Sequence, residues 1–388
     1  MTAEAVLFAL LHCAVSGEKL DDRVKTVCTP ELLLDVYTLA QKHDLAHLAG
    51  HILEQAKVPE AEAMAKFKNA KNRAIFRYLR LDLESQRVYA ALEEAGIAFI
   101  PMKGAVLRSY YPEAWMRTSC DVDILIPEDK LAQTQQILEE KHGYVYKGKC
   151  SYHISLFSPN GLNLELHFQP LSQSRFAKAR KVLQRMWEDA ETNSNGAFQK
   201  VLSDEMFYFY HMAHMAVHIE NGGCGIRPFL DVWILNHQVK FDRENRRKLL
   251  EEGSMLLFAD AAEKLSECWF SGREMDPFSA MLENYVLRGG TYGTMENHVS
   301  LNQAKLGGKG RYAIRRIFLP YDSLKSYYPV LQKHKYLTPV FQVIRWIRLV
   351  FQGRLKRSVR ELSMNASVSK DIASSQKTML EYLGLLDN

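Results

Sequence analysis

A short block of strand-like sequence interrupts a chain that is otherwise helical in its periodicity, and this limits the possible folds more than any other feature. Apolar residues recur at helical spacing up to about residue 95, give way to short apolar or alternating segments over residues 97–169, and return to helical spacing after Pro170. The sequence therefore predicts an α+β fold with a small mixed β-sheet core. Helical regions flank it, and the division is 1–95, 96–190 and 191–388.

The strand-like block contains four short segments and one helix. The segments are Ile97–Ile100, Asp121–Ile126, Ser151–Phe157 and Leu162–Phe168. Pro127-Glu128-Asp129 is typical of a helix start, and the helical pattern that follows ends near Gly143. Ser158-Pro159-Asn160-Gly161 separates the last two segments and predicts a β-hairpin.

Two helices of the N-terminal region carry clear boundary signals. Thr29-Pro30 combines an N-cap residue with a proline at the first helical position, which predicts a helix over Glu31–Lys42. Ala61–Gly96 is a long amphipathic run without a breaker, and Gly96 is the expected residue just beyond its end.

Composition excludes several classes of protein. Of 388 residues, 47% are apolar, which is too many for a disordered chain. No stretch approaches the ~20 apolar residues of a membrane-spanning helix, and no basic segment precedes the first apolar run as in a signal peptide. The six cysteines form no C-x-x-C pair, which favours reduced thiols and a cytoplasmic location. They are Cys13, Cys28, Cys120, Cys150, Cys224 and Cys268.

Asp121-Val122-Asp123 is the strongest candidate for chemistry. Residues i and i+2 of a strand point to the same face, so both carboxylates project together while Val122 and Ile124 are buried behind them. Adjacent carboxylates repel unless a cation neutralises them, and Mg²⁺ prefers oxygen ligands. The alternative is that Asp-x-Asp only caps or turns the chain at a strand start.

Glu165 is a candidate third acid. In Leu162–His167 apolar and polar residues alternate, so Glu165 faces away from Leu164 and Leu166. If this strand lies beside Asp121, the three carboxylates can hold two divalent ions, as in phosphoryl or nucleotidyl transfer. Glu165 could also serve as general base, whereas a solvated surface glutamate is the simpler interpretation.

Lys103-Gly104 follows the first predicted strand. A glycine there lets backbone N–H groups approach a phosphate, and the lysine adds positive charge. Taken alone, a Lys-Gly pair is usually structural, and its interest comes from lying upstream of Asp121.

Residues 97–169 resemble the catalytic core of the DNA polymerase β-like nucleotidyltransferase superfamily, and more narrowly an uncharacterised nucleotidyltransferase family found in bacteria. The residues that carry the resemblance are Lys103-Gly104, Tyr111-Pro112, Arg117–Ile126, His153 and Leu164–His167. Looser similarity continues at 211–218, at Arg227 with Asp231, and over 327–348.

The resemblance implies a polymerase β-like core, two Mg²⁺ ions and an NTP co-substrate. It implies that Asp121, Asp123 and Glu165 hold the metal ions and that Gly104, with Lys103, positions the triphosphate. Here Ala105 follows the glycine, where the superfamily usually has Ser or Gly. Ser109 or Ser119 would then supply a hydroxyl, and Arg117 a guanidinium that pairs with a phosphate.

Three histidines share one face of a predicted helix. His211, His214 and His218 lie at i, i+3 and i+7, a spacing compatible with a transition-metal or substrate contact. No acidic or cysteine ligand lies at a matching spacing, which favours a polar helix face or hydrogen-bonded core histidines. In the loop that follows, Arg227 and Asp231 are candidates either for substrate contact or for a structural ion pair.

Residues 311–361 form a basic segment interleaved with aromatic residues. The segment holds twelve basic residues and only two acidic ones, within a chain of net charge +5. Three interpretations stay open: a helix on an anionic membrane, a nucleic-acid surface, or helices packed on the core with their cations in solvent. No stable protein partner is expected.

The sequence thus favours a Mg²⁺-dependent nucleotidyltransferase that moves NMP from an NTP to an unidentified acceptor. Sugar phosphates, other small molecules, RNA ends and protein side chains are all compatible acceptors. The alternative is a catalytically silent nucleotide-binding or regulatory module with a basic C-terminal surface. A histidine-based metallohydrolase is a remote third possibility.

Overall fold

The computed structural model describes residues 1–59, 62–172, 176–194, 196–351 and 355–386. Ala61, where the long helix was predicted to start, and Arg354 of the basic segment lie outside the described residues. So does residue 195.

Five helices form the N-terminal region. They are α1 (Ala3–Ser16), α2 (Asp22–Val27), α3 (Pro30–Lys42), α4 (Ala46–Gln55) and α5 (Glu62–Glu94). The predicted start of α3 is confirmed, because Pro30 is its first residue and Thr29 Oγ1 accepts a hydrogen bond from the backbone N–H of Leu32 at 3.3 Å. Gly96 follows α5 with φ +66°, as expected of a residue just beyond a helix.

The central sheet has five strands with α6 (Gly104–Leu107) and α7 (Leu131–His142) in its connections. The strands are β1 (Ile100–Pro101), β2 (Asp121–Leu125), β3 (Val145–Lys149), β4 (His153–Phe157) and β5 (Asn163–His167). Their order is β1-β2-β5-β4-β3, with β2 parallel to β5 and the other neighbours antiparallel. The sheet is mixed, and the predicted α+β fold is confirmed.

Two details of the predicted sheet differ from the structure. The first strand begins at Ile100, because the backbone of Phe99 pairs instead with Phe198 and Lys200. The edge strand β3 was not predicted, since its sequence is largely exposed and contains Gly148 at a register shift, so it lacks the apolar alternation of a half-buried strand.

The remaining elements are a small hairpin and thirteen helices among the described residues. The first of these are α8 (Ala177–Leu183), α9 (Met186–Asp189), β6 (Glu191–Thr192), β7 (Lys200–Val201), α10 (Asp204–Glu220), α11 (Arg227–Gln238) and α12 (Arg243–Glu252). They continue with α13 (Leu256–Phe270), α14 (Pro277–Gly289), α15 (Met295–Leu306), α16 (Lys309–Ile317), α17 (Tyr321–Tyr327), α18 (Thr338–Phe351), α19 (Leu355–Ser367) and α20 (Lys370–Tyr382). None of the described helices is both long enough and apolar enough to cross a bilayer.

Two apolar clusters position the sheet. One runs from Val6 in α1 to Leu385 and joins the N-terminal helices to α10, α11 and α13. The other lies between the sheet, α5 and α7, and it contains Val122, Ile124 and Leu166. The inner face of the sheet is therefore sealed by apolar packing, and its polar residues face the opposite side.

Candidate functional site

The three predicted carboxylates meet on one face of the sheet. Asp123 on β2 is in register with Glu165 on the parallel strand β5, and Asp121 lies two residues before Asp123 on the same face. One carboxylate oxygen from each of the three lies within 4.8 Å of the others. The apolar alternation that buries Val122 and Leu164 thus turns the three acids toward the other side.

Lys103 supplies a positive charge directly to this group. Its Nζ donates a hydrogen bond to Asp123 Oδ1 at 2.7 Å and lies 4.0 Å from Glu165 Oε2. Burial disfavours the ammonium, but the attraction of Asp123 outweighs it and raises the pKa of Lys103. The lysine is therefore charged and bound to the carboxylate that lies deepest in the site.

The three acids do not titrate alike. Burial and the neighbouring Asp123 raise the pKa of Asp121 to about 6. Burial also opposes ionisation of Asp123 and Glu165, but Lys103 and His167 outweigh it at Asp123, and His167 does so at Glu165, so both pKa values are lowered. At neutral pH the latter two are carboxylates, and Asp121 ionises with the greatest difficulty.

Two histidines complete the polar face. His167 Nε2 donates to Asp123 Oδ1 at 2.9 Å and lies 3.4 Å from Glu165 Oε2. His153 is in register with His167 on β4, and its Nδ1 lies 3.7 Å from Glu165 Oε2. Both histidines are among the residues that carry the family resemblance, but no role was predicted for them. Their strand positions were the available signal, because His167 lies two residues after Glu165 and so shares its face.

A cavity of about 300 Å³ opens onto this face. The sheet residues form one wall, and α10, α11 and the 291–292 turn form the other. Residues from α10 and α11 come from far along the chain, so the cavity exists only in the folded protein.

A sequence family described as uncharacterised nucleotidyltransferase matches residues 33–271, which is more than half of the chain. This chain belongs to that family. The match begins in α3 and ends just after α13, so it includes the sheet, the cavity and the opposite helical wall.

Other comparisons add little. A solution structure of the antibiotic-resistance factor ANT(2'')-Ia, whose title refers to substrate-regulated conformation dynamics, aligns over 54% of this chain and 97% of its own, with 12% identity and a TM-score of 0.28. No protein of curated function matches this chain.

In this nucleotidyltransferase family member, Gly104 and Ser119 lie against each other at the cavity edge. A Cβ on Gly104 would come within 3.2 Å of both Cβ and Oγ of Ser119. Ser119 Oγ accepts a hydrogen bond from Arg108 Nη2 and donates one to the Asp121 carbonyl at 3.2 Å. Both residues line the cavity, whereas Ser109 instead donates to the Val106 carbonyl at 2.7 Å.

Arg117, predicted to pair with a phosphate, forms an ion pair with Asp231 in the structure. Its Nε and Nη2 donate to the two carboxylate oxygens of Asp231 at 2.7 and 2.8 Å, and Tyr111 donates to the same acid at 2.7 Å. Asp231 therefore pairs with Arg117, not with Arg227 as the structural alternative suggested. Arg117 lines the cavity, and its contact with a phosphate stays a prediction.

Arg227 projects from the start of α11 toward the cavity. Its Nη1 contacts Asp44 Oδ2 and Thr118 Oγ1, each at 3.0 Å, and its Nε is buried without a hydrogen-bond partner among the described residues. Asp44 lies between α3 and α4 and had no sequence signal, because its partners come from three distant parts of the chain.

The three histidines of α10 lie on the wall opposite the acids. His211, His214 and His218 all line the cavity, and the Nε2 atoms of the last two are 3.0 Å apart. Burial lowers the pKa of each, that of His218 to about 4. They are neutral at pH 7, so α10 presents uncharged polar groups to the cavity.

Proposed function

We propose that the protein transfers a nucleoside monophosphate from an NTP, with Mg²⁺, to an acceptor that enters the same cavity. The observation that carries the proposal is the convergence of Asp121, Asp123 and Glu165 at one end of the cavity, with ligand oxygens within 4.8 Å. Membership of the nucleotidyltransferase family supports the class of reaction.

The residues present fit magnesium. Three carboxylates from two adjacent strands offer the hard oxygen donors that Mg²⁺ prefers. Asp121 would gain most, because burial and the repulsion of Asp123 now disfavour its charged form. Bound magnesium supplies positive charge for the triphosphate and lowers the pKa of an attacking hydroxyl.

The chain's own residues would orient the two substrates. Lys103 and Gly104 lie at the cavity edge, where a phosphate group meets the lysine ammonium and the unobstructed backbone of the glycine. Glu165 is a carboxylate at neutral pH, so a carboxylate oxygen that holds no metal ion can accept the proton of an acceptor hydroxyl. The buried Nε of Arg227 offers a further donor at the opposite wall.

The acceptor has to fit the uncharged wall of α10. The Nε2 atoms of neutral His214 and His218 bond to each other, which leaves one Nδ1 as a donor and the other as an acceptor. This pair suits a hydroxyl group better than a second anion. This favours a hydroxyl-bearing acceptor over a phosphate, among the classes compatible with the chemistry.

A silent nucleotide-binding module is the second candidate. The contact of Lys103 Nζ with Asp123 at 2.7 Å favours it, because the ammonium already neutralises the carboxylate that lies deepest. Calorimetry with ATP and Mg²⁺ followed by a turnover assay separates the two: binding without turnover supports the module.

The test uses α-³²P-labelled ATP, CTP, GTP and UTP with the full-length protein, Mg²⁺ and cell extract. We expect one extract species to become labelled, and we expect Asp123→Asn and Glu165→Gln to abolish the labelling. Asp123 is buried and bonded to Lys103 and His167, so its replacement could also unfold the chain. Asp121→Asn therefore serves as the better tolerated variant, since it removes a charge that the fold disfavours.

Asp129→Asn is the matched control, because Asp129 is an exposed acid in the same region of the chain. Circular dichroism and thermal melting establish that each variant is folded. Full labelling by a folded Asp121→Asn or Asp123→Asn variant refutes the proposed role of the acids.

The cytoplasmic location is also a proposal. All six cysteines are free in the structure, which agrees with a reducing compartment.

A further inference from the structure

His153, Glu165 and His167 form a second group of ligand-type atoms beside the three acids. The two histidines are paired across β4 and β5, with ring centroids 5.0 Å apart. One ligand atom from each of the three residues lies within 4.8 Å of the others. Glu165 belongs to both groups, so it connects this site to the acid triad.

The spacing of these atoms suits one ion better than it suits hydrogen bonds. Ligand atoms of a tetrahedral ion with bonds of about 2.1 Å lie about 3.4 Å apart. Glu165 Oε2 is 3.4 Å from His167 Nε2 and 3.7 Å from His153 Nδ1. The second of these distances is too long for a hydrogen bond.

An unsatisfied nitrogen supports the same conclusion. His153 Nδ1 is buried and has no hydrogen-bond partner among the described residues, although it points toward Glu165. A buried nitrogen without a partner costs free energy unless something binds it. His167 is 1% exposed and holds its Nε2 between Asp123 and Glu165, so its ring is already oriented toward the same point.

We infer that His153, Glu165 and His167 hold a transition-metal ion of the Mn²⁺, Co²⁺ or Zn²⁺ class, in place of the second Mg²⁺ ion. Two imidazoles and one carboxylate favour such ions, whereas Mg²⁺ prefers oxygen ligands alone. When the ion binds, the proton that His167 Nε2 donates to Asp123 moves through solvent to Nδ1 of the same ring, so the imidazole stays neutral and the Nε2 lone pair faces the ion. The inference rests on the proposed function, because it assigns the second metal ion of that reaction.

Cobalt binding tests the inference without any turnover. Metal-free full-length protein is titrated with Co²⁺ alone, in the presence of excess Mg²⁺, and visible absorption and calorimetry are recorded. We expect one Co²⁺ per chain, a spectrum typical of imidazole coordination, and affinity at least tenfold weaker in His153→Ala. His153→Asn is the second variant if the alanine variant does not fold. His142→Ala is the control, since His142 lies at the end of α7, outside the site.

The outcomes separate this inference from the proposed function. A Co²⁺ spectrum that depends on His153, without nucleotide labelling in the extract, supports the metal site and counts against the transferase. Nucleotide labelling with Mg²⁺, together with Co²⁺ binding that is identical in His153→Ala and the parent protein, overturns the inference and leaves the transferase intact. Failure of Co²⁺ to bind in the presence of that excess of Mg²⁺ overturns it as well.

Discussion

Lys103 combines an unusual backbone with an essential contact. Its φ is +49°, in a region that residues other than glycine rarely adopt, and such a conformation costs about 1–3 kcal/mol. The geometry places Nζ on Asp123 while the following glycine faces Ser119. The strained conformation therefore lies at the residue whose ammonium binds the deepest carboxylate.

The buried imidazole of His47 makes the free energy of unfolding depend on pH. The ring is 3% exposed and donates from Nε2 to the Met116 carbonyl at 2.8 Å. Burial lowers its pKa from 6.5 to about 4. At pH values between 4 and 6.5 the imidazole of His47 is protonated in the unfolded chain and neutral in the folded chain. The free energy of unfolding therefore falls as the pH falls from 6.5 to 4.

We expect His47→Gln, which keeps a donor for Met116, to reduce that loss by about 3 kcal/mol. Urea unfolding at a series of pH values between 4 and 7 measures it. The same substitution at the exposed His334 is the control. An unchanged pH slope in His47→Gln contradicts the assignment.

At the scale of elements, α18 stands out because its apolar side chains face solvent. Val340, Val343, Ile347 and Val350 are each 48–56% exposed and recur at helical spacing. Phe318, the residue after α16, contacts Trp346 of α18 with ring centroids 5.3 Å apart and is itself 53% exposed. The solvent-exposed face of α18 therefore carries apolar side chains as well as cations.

We expect the basic segment 311–361 to bind anionic lipid, because an exposed apolar stripe surrounded by cations suits such a membrane. Sedimentation with phosphatidylcholine–phosphatidylserine vesicles at two salt concentrations measures the binding. Ile347→Asp should weaken it at least tenfold, whereas Leu257→Asp, at an equally exposed residue of α13, should not. If the protein does not bind the vesicles at low salt, the membrane interpretation is excluded. If it binds RNA instead, the nucleic-acid interpretation is supported.

At the scale of the whole molecule, the Arg117–Asp231 ion pair joins the sheet region to α11 of the C-terminal helices. Both side chains are buried, with exposed fractions of 9% and 0%, and Tyr111 satisfies the same carboxylate. The main apolar cluster likewise contains residues from both helical regions. The boundaries predicted near residues 95 and 190 stay predictions, but the two helical regions share one core.

We expect Arg117→Met to lower the free energy of unfolding by about 3–5 kcal/mol, because it leaves Asp231 buried without its charge partner. The matched control is Arg185→Met, which removes a pair with Glu252 that is 42% and 41% exposed. That change should cost less than about 1 kcal/mol. Urea unfolding measures both variants. An equal decrease in the free energy of unfolding for the two would show that the buried pair stabilises the fold no more than the exposed pair does.

Short-range chemistry in the sequence determined several helix and strand boundaries and the face on which the acids lie. Thr29 and Pro30 mark a helix start, the 158–161 turn joins β4 to β5, and alternation around Asp123 and Glu165 separates apolar from acidic faces. Each signal depends on neighbours within a few residues, so no tertiary contact was needed to read it.

Tertiary structure alone decided what surrounds those acids. It pairs Lys103 with Asp123 and the Arg117 guanidinium with Asp231. It also places the α10 histidines opposite the sheet. These contacts join residues separated by 20 or 114 positions, and side-chain periodicity carries no information on which distant surfaces will pack together. The sequence therefore determined which acids share a face of the sheet, and the packing of distant helices decided the cavity that they line.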